Sequence, residues 1–473
     1  MSTSTTQLAV IGGGPGGYAA AFLGADLGLE VTLIDQEKNP GGVCLYRGCI
    51  PSKALLHVAK LLAEARHASA WGIEFGEPVI DLDRLRGFKQ GVVDRLTGGL
   101  GQLTRQRKIR FLQGRASIVN ATTLDVALKE GGTEQVRFAH AVIATGSRPA
   151  AVPGLSLDSP RVLDSTSALD LPDVPKRLLV VGGGYIGLEL GTVYAALGAE
   201  VSVVEMMPGL LPGADRDLVN VLAKRVERMC RAVMLDTKVV AMREEADRLH
   251  VTFEGKSAPD GPQVFDKVLV SVGRQPNSEV PGLDRTRVKV NGRGFIEVDA
   301  QRRTAEPTIF AIGDVAGDPM LAHKATAEGR LAAEVIAGKK RAYEPQAIPA
   351  VVFTDPELAW CGVTETEAKA QGLDVEVSRF PWAASGRAMT LDRTDGLTKL
   401  VVERESGRVL GMGVVGAGAG ELIAEGVLAV EMGALVSDLG LSIHPHPTLS
   451  ETIMEAADAF FGHATHIHRP RRA

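Results

Sequence analysis

Short, wholly apolar runs that end in glycine set the rhythm of this chain. Leu8-Ala-Val-Ile runs straight into Gly12-Gly-Gly14-Pro-Gly-Gly17, and the next apolar segment, Val31-Thr-Leu-Ile, ends at Asp35. An unbroken apolar run of this length, bounded by glycine, predicts a strand buried on both faces, with a helix opening at the glycine turn. The same order returns later: Arg177-Leu-Leu-Val-Val enters Gly182-Gly-Gly184-Tyr-Ile-Gly187, and Val201-Ser-Val-Val ends at Glu205. Between the two copies, Ser52-Lys-Ala-Leu-Leu-His-Val-Ala-Lys-Leu-Leu-Ala-Glu spaces its apolar residues for a helix. Pro51 suits the first turn of that helix, so Cys49 is expected at its N-terminus. No apolar run reaches the roughly 18 residues of a membrane span.

Each glycine turn meets the requirements of a Rossmann nucleotide site. In the first copy Gly12 permits the tight turn, Gly14 lets the backbone approach a pyrophosphate at the helix N-terminus, and Gly17 lets the helix pack on the strand. Asp35 is placed to accept from ribose hydroxyls. Gly182, Gly184, Gly187 and Glu205 repeat these roles in the second copy. Glu205 would repel a 2'-phosphate, and Met206-Met-Pro offers no arginine to hold one, so this copy is expected to prefer NAD to NADP.

The chain has 473 residues, 45% of them hydrophobic, which predicts about three domains with substantial cores. Its net charge of -5 gives no reason to expect a nucleic-acid partner. The short polar start MSTSTTQ does not resemble a secretory signal, and a cytoplasmic location is the default expectation. Only four cysteines occur, and Cys44 and Cys49 lie close together just after the first nucleotide fingerprint. A bridge between them would close so short a loop that chain entropy gives little stabilisation, so function would be the better reason for one. The competing readings are two reduced, buried thiols, or a zinc site, for which the nearby His57 has no partner. No metal is expected. Cys230 and Cys361 are expected to be ordinary core residues. A thiolate at Cys49 would be stabilised by the helix N-terminus and by Lys53.

The motifs GGVCLYRGCIPSKALL (41–56), VIATGSRP (142–149), VVGGGYIGLELG (180–191), VGRQPN (272–277), IFAIGDVAG (309–317), FTDPELAWCGVTE (353–365) and HPHPTLSE (444–451) together resemble the flavoprotein disulfide reductases over essentially the whole chain. Within that family they are most similar to the branch acting on dihydrolipoamide. The resemblance implies an α/β fold with two Rossmann-like domains, for FAD and NAD, and a C-terminal α+β dimerisation domain. The expected bounds are 1–150 for the first FAD segment, 151–272 for the NAD domain, 273–345 for a central FAD-associated segment and 346–473 for the interface domain. Cys44 and Cys49 become a redox disulfide, with Cys44 the more exposed sulfur and Cys49 facing the flavin. FAD contacts map to Gly114, Gly146, Asp314 and Ala322. Lys53 and Glu189 map to a charged pair near the reactive ring, Tyr185 to the cover over the flavin, and Val239 and Gly273 to weaker contacts on the NAD side.

His446 and Glu451 match the family's base and its orienting carboxylate. In the family this dyad faces the other subunit's disulfide, which implies a homodimer. The implied partners are a lipoylated acyltransferase or lipoyl carrier protein of a 2-oxoacid dehydrogenase or glycine cleavage system. Four positions depart from the common pattern: Val43 for threonine, Tyr46-Arg47 for asparagine-valine, and Asp35 for glutamate. Arg47 is expected to raise the positive potential near the disulfide. Glutathione or mercuric reductase-like chemistry and a mainly structural docking subunit are the alternatives. The histidine- and arginine-rich tail from His463 to Ala473 matches no motif and is expected to be a frayed terminus.

Overall fold

A computed structural model describes residues 2–152, 154–155 and 157–468. The first apolar run forms β1 (Ser2–Ile11), in which Leu8, Ala9 and Val10 are wholly buried, as a strand covered on both faces must be. It leads into α1 (Pro15–Asp26) and then β2 (Val31–Asp35). Two helices carry the cysteines, α2 (Gly42–Arg47) and α3 (Cys49–His67), with Gly48 as the only residue between them. The long α4 (Leu82–Gln106) packs beside them and is followed by β3 (Arg110–Asn120), β4 (Thr123–Leu128) and β5 (Thr133–Ile143). Strands β3, β2, β1 and β5 lie side by side and parallel, and β4 pairs antiparallel with the far end of β3 and with the start of β5, which stays paired to β1 there.

A second unit repeats this plan. After β6 (Ser147–Pro149) come β7 (Val162–Leu163), β8 (Arg177–Val181), α5 (Tyr185–Ala196), β9 (Glu200–Val204), α6 (Arg216–Met229) and β10 (Ala232–Met234). An antiparallel lobe of β11 (Thr237–Glu245), β12 (Arg248–Gly255) and β13 (Gln263–Phe265) precedes β14 (Lys267–Val270). The parallel order β10-β9-β8-β14-β7 sets β8 in the place that β1 holds in the first sheet. The chain returns through β15 (Arg274–Pro276), which pairs with β6 in a two-stranded ribbon. It then adds β16 (Ile309–Ala311) to the edge of the first sheet beside β5, and α7 (Ala322–Ile336) packs on α1. That helix contact depends on glycine, since a Cβ on Gly329 would stand 2.2 Å from the Gly16 carbonyl oxygen.

The last unit is an antiparallel sheet in the order β17-β18-β21-β20-β19, formed by β17 (Ala350–Val352), β18 (Glu357–Gly362), β19 (Val375–Pro381), β20 (Leu397–Glu403) and β21 (Val409–Gly416). Its helices are α8 (Glu365–Gln371), α9 (Gly386–Thr390), α10 (Ala419–Met432), α11 (Val436–Leu441) and α12 (Glu451–Phe461). One apolar core joins this unit to the rest: Val352, Leu358 and Val415 share a cluster with Leu55 of α3 and Leu188 of α5. The fold is thus α/β in its two nucleotide-type units, with a mixed sheet-and-helix unit after them. Among the described residues no helix is long and apolar enough to cross a membrane.

Candidate active site

The glycine turn, the redox helices and the return strand meet along one cleft. Its deeper chamber, about 460 Å³, is lined by Gly12, Gly14, Asp35, Cys44, Cys49, Lys53, Gly146, Tyr185, Glu189, Asp314 and Ala322. A second chamber of similar volume holds Gly114 and continues the first through Gly12, Asp35 and Asn277. Thus ten of the sequence-derived candidates and Tyr185 share the inner chamber, although they come from six separate stretches of chain. Gly17 lies just behind it, where a Cβ would stand 1.8 Å from the Gly12 carbonyl oxygen, and Gly12 itself has φ +105°. Gly114 is held to glycine by the strand beside it, since a Cβ would meet the Ala127 carbonyl oxygen at 2.4 Å.

Cys49 is the first residue of α3, as the proline after it implied, and it is exposed, whereas Cys44 is half-buried. In the single chain this reverses the expected order of exposure, because the start of α3 opens directly onto the cleft while Cys44 sits within the turn of α2. The two thiols interact directly. The bond from Cys44 is the main reason the Cys49 thiol is lowered to about 7; burial opposes it, Lys53 assists and Glu189 opposes. The same pairing, with burial, pushes Cys44 far upward. One thiolate therefore resides preferentially at Cys49.

Lys53 Nζ donates to Glu189 Oε2 at 2.7 Å and lies 4.6 Å from the centre of the Phe353 ring. The other oxygen of Glu189, a side chain only 4% exposed, accepts from the Phe353 amide at 2.9 Å. The buried carboxylate is thus satisfied from two sides, by the redox helix and by the interface unit. Arg47 does not act as expected: its guanidinium turns to Glu37, and the charges acting on the thiols are those of Lys53 and Glu189.

The Asp314 carboxylate accepts from Ser147 Oγ at 2.5 Å, and Ser147 in turn accepts from Arg274 Nε at 2.7 Å. Behind it, the Gly313 amide donates to Glu328, a fully buried acid paired with Lys324 and Arg302. Ser147, Arg274 and Glu328 were missed from the sequence, although the first two fall inside motifs quoted for the resemblance. Asp35 and Glu205 behave alike, each accepting from the middle glycine amide of its own turn, Gly13 at 2.5 Å and Gly183 at 2.7 Å. Burial raises the Asp35 carboxyl, against the pull of the Gly13 amide and Arg47.

These residues fit an extended dinucleotide: glycines whose Cβ atoms would obstruct the turn, helix N-termini, and a terminal carboxylate with lone pairs left for hydroxyls. In the second unit Gly182 has φ +107°, a Cβ on Gly187 would meet the Gly182 carbonyl oxygen at 2.4 Å, and a Cβ on Gly184 would meet nothing within 4 Å. That pattern leaves the Gly184 side of the turn open to a phosphate. Gly273, with φ +129°, accepts from the Ala150 amide at the ribbon joining the two units. Val239 packs against the apolar cluster behind the second sheet.

His446 and Glu451 lie elsewhere, in the interface unit, and do not line this cleft. His446 Nδ1 meets Glu451 Oε1 at 2.9 Å, and the other oxygen accepts from the Thr448 amide at 2.7 Å. Burial would raise Glu451, but the Thr448 amide and His446 outweigh it and hold the carboxylate below its ordinary range. The imidazole is 75% exposed, its far nitrogen free to meet something outside the chain. The tail is not frayed as far as His468: His466 bonds to the buried Glu455 at 2.6 Å and Ile467 packs on the interface core. Residues 469–473 lie outside the described part.

Comparison with known proteins agrees with this arrangement. The pyridine nucleotide-disulphide oxidoreductase model matches residues 6–329, and the dimerisation domain of the same family matches 348–457. A dihydrolipoyl dehydrogenase of Haemophilus influenzae is 49% identical, over 98% of this chain and 96% of its own, and one from Thermus scotoductus is 47% identical, over 98% and 99%. The crystal structure of LpdA from Mycobacterium tuberculosis superposes with a TM-score of 0.89 at 27% identity, covering 96% of this chain and 99% of that one. With two glycine turns, a thiol pair between helices and a matching C-terminal unit, the chain belongs to the pyridine nucleotide-disulphide oxidoreductases.

Proposed function

We propose that this protein oxidises protein-bound dihydrolipoamide to lipoamide, using the Cys44–Cys49 pair, FAD and NAD, as the E3 component of a 2-oxoacid dehydrogenase or glycine cleavage system. The observation that carries the reading is the thiol pair itself, with Cys49 lowered to about 7 at a helix N-terminus inside a dinucleotide-shaped cleft. The relatives carrying the dihydrolipoyl dehydrogenase name narrow the substrate, since they align over nearly the whole chain.

Gly12, Gly14, Asp35, Gly114, Asp314 and Ala322 would hold FAD, and Gly182, Gly184, Gly187 and Glu205 would hold NAD, with Val239 and Gly273 at its margin. Bound FAD would carry an electron pair from the thiols to NAD. The chain's own residues do the rest. His446, from a second copy, takes a proton from one substrate thiol, and Glu451 fixes the imidazole and stabilises its cation. The substrate thiolate attacks Cys44 Sγ, the Cys44–Cys49 bond breaks, and Cys49 leaves as the thiolate its surroundings favour. The second substrate thiol then displaces Cys44, closing the lipoamide disulfide and leaving both cysteines reduced. Lys53, held by Glu189, keeps positive charge beside Cys49 throughout.

The test is anaerobic addition of dihydrolipoamide to the purified protein, then NAD, with the visible spectrum and NADH recorded. The expected result is a long-wavelength band on reduction and stoichiometric NADH. A spectrum that NADH changes and dihydrolipoamide does not would overturn the substrate assignment.

A further inference from the structure

Between the two cysteines, where the family pattern has asparagine and valine, Tyr46 and Arg47 both reach from α2 to the loop 36–41. The Tyr46 hydroxyl donates to the Asn39 carbonyl at 3.0 Å and accepts from the Asn39 amide at 3.3 Å. The Arg47 guanidinium pairs with Glu37. The same loop is tied to the glycine turn: Asp35 accepts from the amides of Gly13 and Glu37, and the Gly41 amide donates to the Gly13 carbonyl at 2.7 Å. Packing closes the remaining gap. A Cβ on Gly41 would stand 3.0 Å from the Tyr46 ring, and one on Gly42 would stand 2.5 Å from the Gly14 Cα. Loop, redox helix and glycine turn therefore form a closed circuit, whose inner side lines the cleft with Gly14, Asp35, Glu37, Cys44 and Arg47.

We propose that Tyr46 and Arg47 are positioning residues for the flavin dinucleotide, clasping loop 36–41 onto α2 so that Asp35 and the helix bearing Cys44 hold the cofactor as one rigid wall. The proposal rests on the FAD reading above. Asparagine and valine could make neither the phenol bonds nor the ion pair at these positions. A cofactor lying along both sides of the circuit can leave only when one side opens, so the clasp acts on its release more than on its arrival.

The experiment measures FAD release from diluted holoenzyme, by the rise of free-flavin fluorescence, in the wild type, in Tyr46→Phe, Arg47→Val and Arg47→Lys, and in the double variant that combines Tyr46→Phe with Arg47→Val. A partly exposed ion pair is weak and screened by salt, so Arg47→Val should speed release about threefold at low salt and lose that difference in concentrated salt. Arg47→Lys should stay near wild type. Tyr46→Phe keeps the ring but loses both backbone bonds; its effect should persist in salt and bring the double variant to about tenfold. A yellow protein whose variants release FAD at the wild-type rate overturns the clasp while leaving the cofactor reading intact. A wild-type protein that takes up no FAD overturns both.

Discussion

The ionisation of one thiol depends on side chains far apart in sequence. Cys49 owes its lowered value first to the bond from Cys44 and then to Lys53, four residues on, whose own position is fixed by Glu189, 136 residues away. In the reduced protein, iodoacetamide should therefore label Cys49 first, with a midpoint at about 7. Lys53→Met removes an attraction for the thiolate without removing the helix N-terminus, so Cys49 labelling near neutral pH should fall by about threefold. Cys230 and Cys361, buried and pushed up to about 12, should stay unlabelled until the protein unfolds, which mass spectrometry of the labelled peptides would check. The sequence made Cys49 and Lys53 legible because both effects are local to one helix start. It misdirected the reading at Arg47, because a long side chain goes to the nearest opposite charge, and Glu37 lies across a loop fold that spacing does not reveal.

Among the elements, the junction of α6 with α8 and β20 shows how far an ionic contact can escape sequence reading. Asp215 precedes α6 but does not cap it; its carboxylate accepts from the Glu365 and Thr366 amides at the start of α8. Lys399 of β20, only 1% exposed, lies 2.7 Å from Asp215, 2.9 Å from Asp217 and 3.1 Å from Glu365, so its ammonium occupies the place where such a trio of acids could take a cation. Burial would raise Asp215 and Asp217, but Lys399 at Asp215, and Arg379 followed by Lys399 at Asp217, hold both below their ordinary range. Carboxylates lowered in the folded state stabilise it above their ordinary range, and that contribution is lost as pH falls through the lowered values. Lys399→Met should destabilise the protein by about 3 kcal/mol at about pH 7.5, because it leaves buried charge uncompensated. The deficit should shrink at about pH 4.5, because without Lys399 the burial of Asp215 is opposed only by the Glu365 and Thr366 amides and the acid takes up a proton more readily. Urea unfolding at the two pH values measures this. The parallel strands were readable because runs such as Leu8–Ile11 are apolar on both faces. The antiparallel interface sheet was readable only as mixed structure, since its pairings join residues far apart and carry no local mark.

At the scale of the whole molecule, the dyad and the thiols lie in different parts of one chain, and large apolar side chains are exposed beside the dyad. Leu441 is 80% exposed and Ile443 is 98% exposed, three residues before His446, while Met432 at the end of α10 is 75% exposed. The loop is not loose: His444, next to Ile443, has a largely buried side chain bonded to Glu425 and to the Ser442 carbonyl. Large apolar side chains held rigidly in water mark a contact surface, and the dimerisation-domain match covers all of them. A paired charge substitution, Leu441→Glu with Ile443→Glu, should therefore yield a monomer by light scattering without unfolding the chain, since neither side chain belongs to a core. Its consequence for turnover separates the two halves of the reaction. In the proposed mechanism electron entry from dihydrolipoamide needs His446 from the other copy, so that activity should fall by at least about a hundredfold. In the same mechanism electron entry from NADH to an artificial dye uses only the cleft and the second glycine turn, both within one chain, and should persist. A monomer that keeps its dihydrolipoamide activity would show instead that each chain's dyad serves its own thiols.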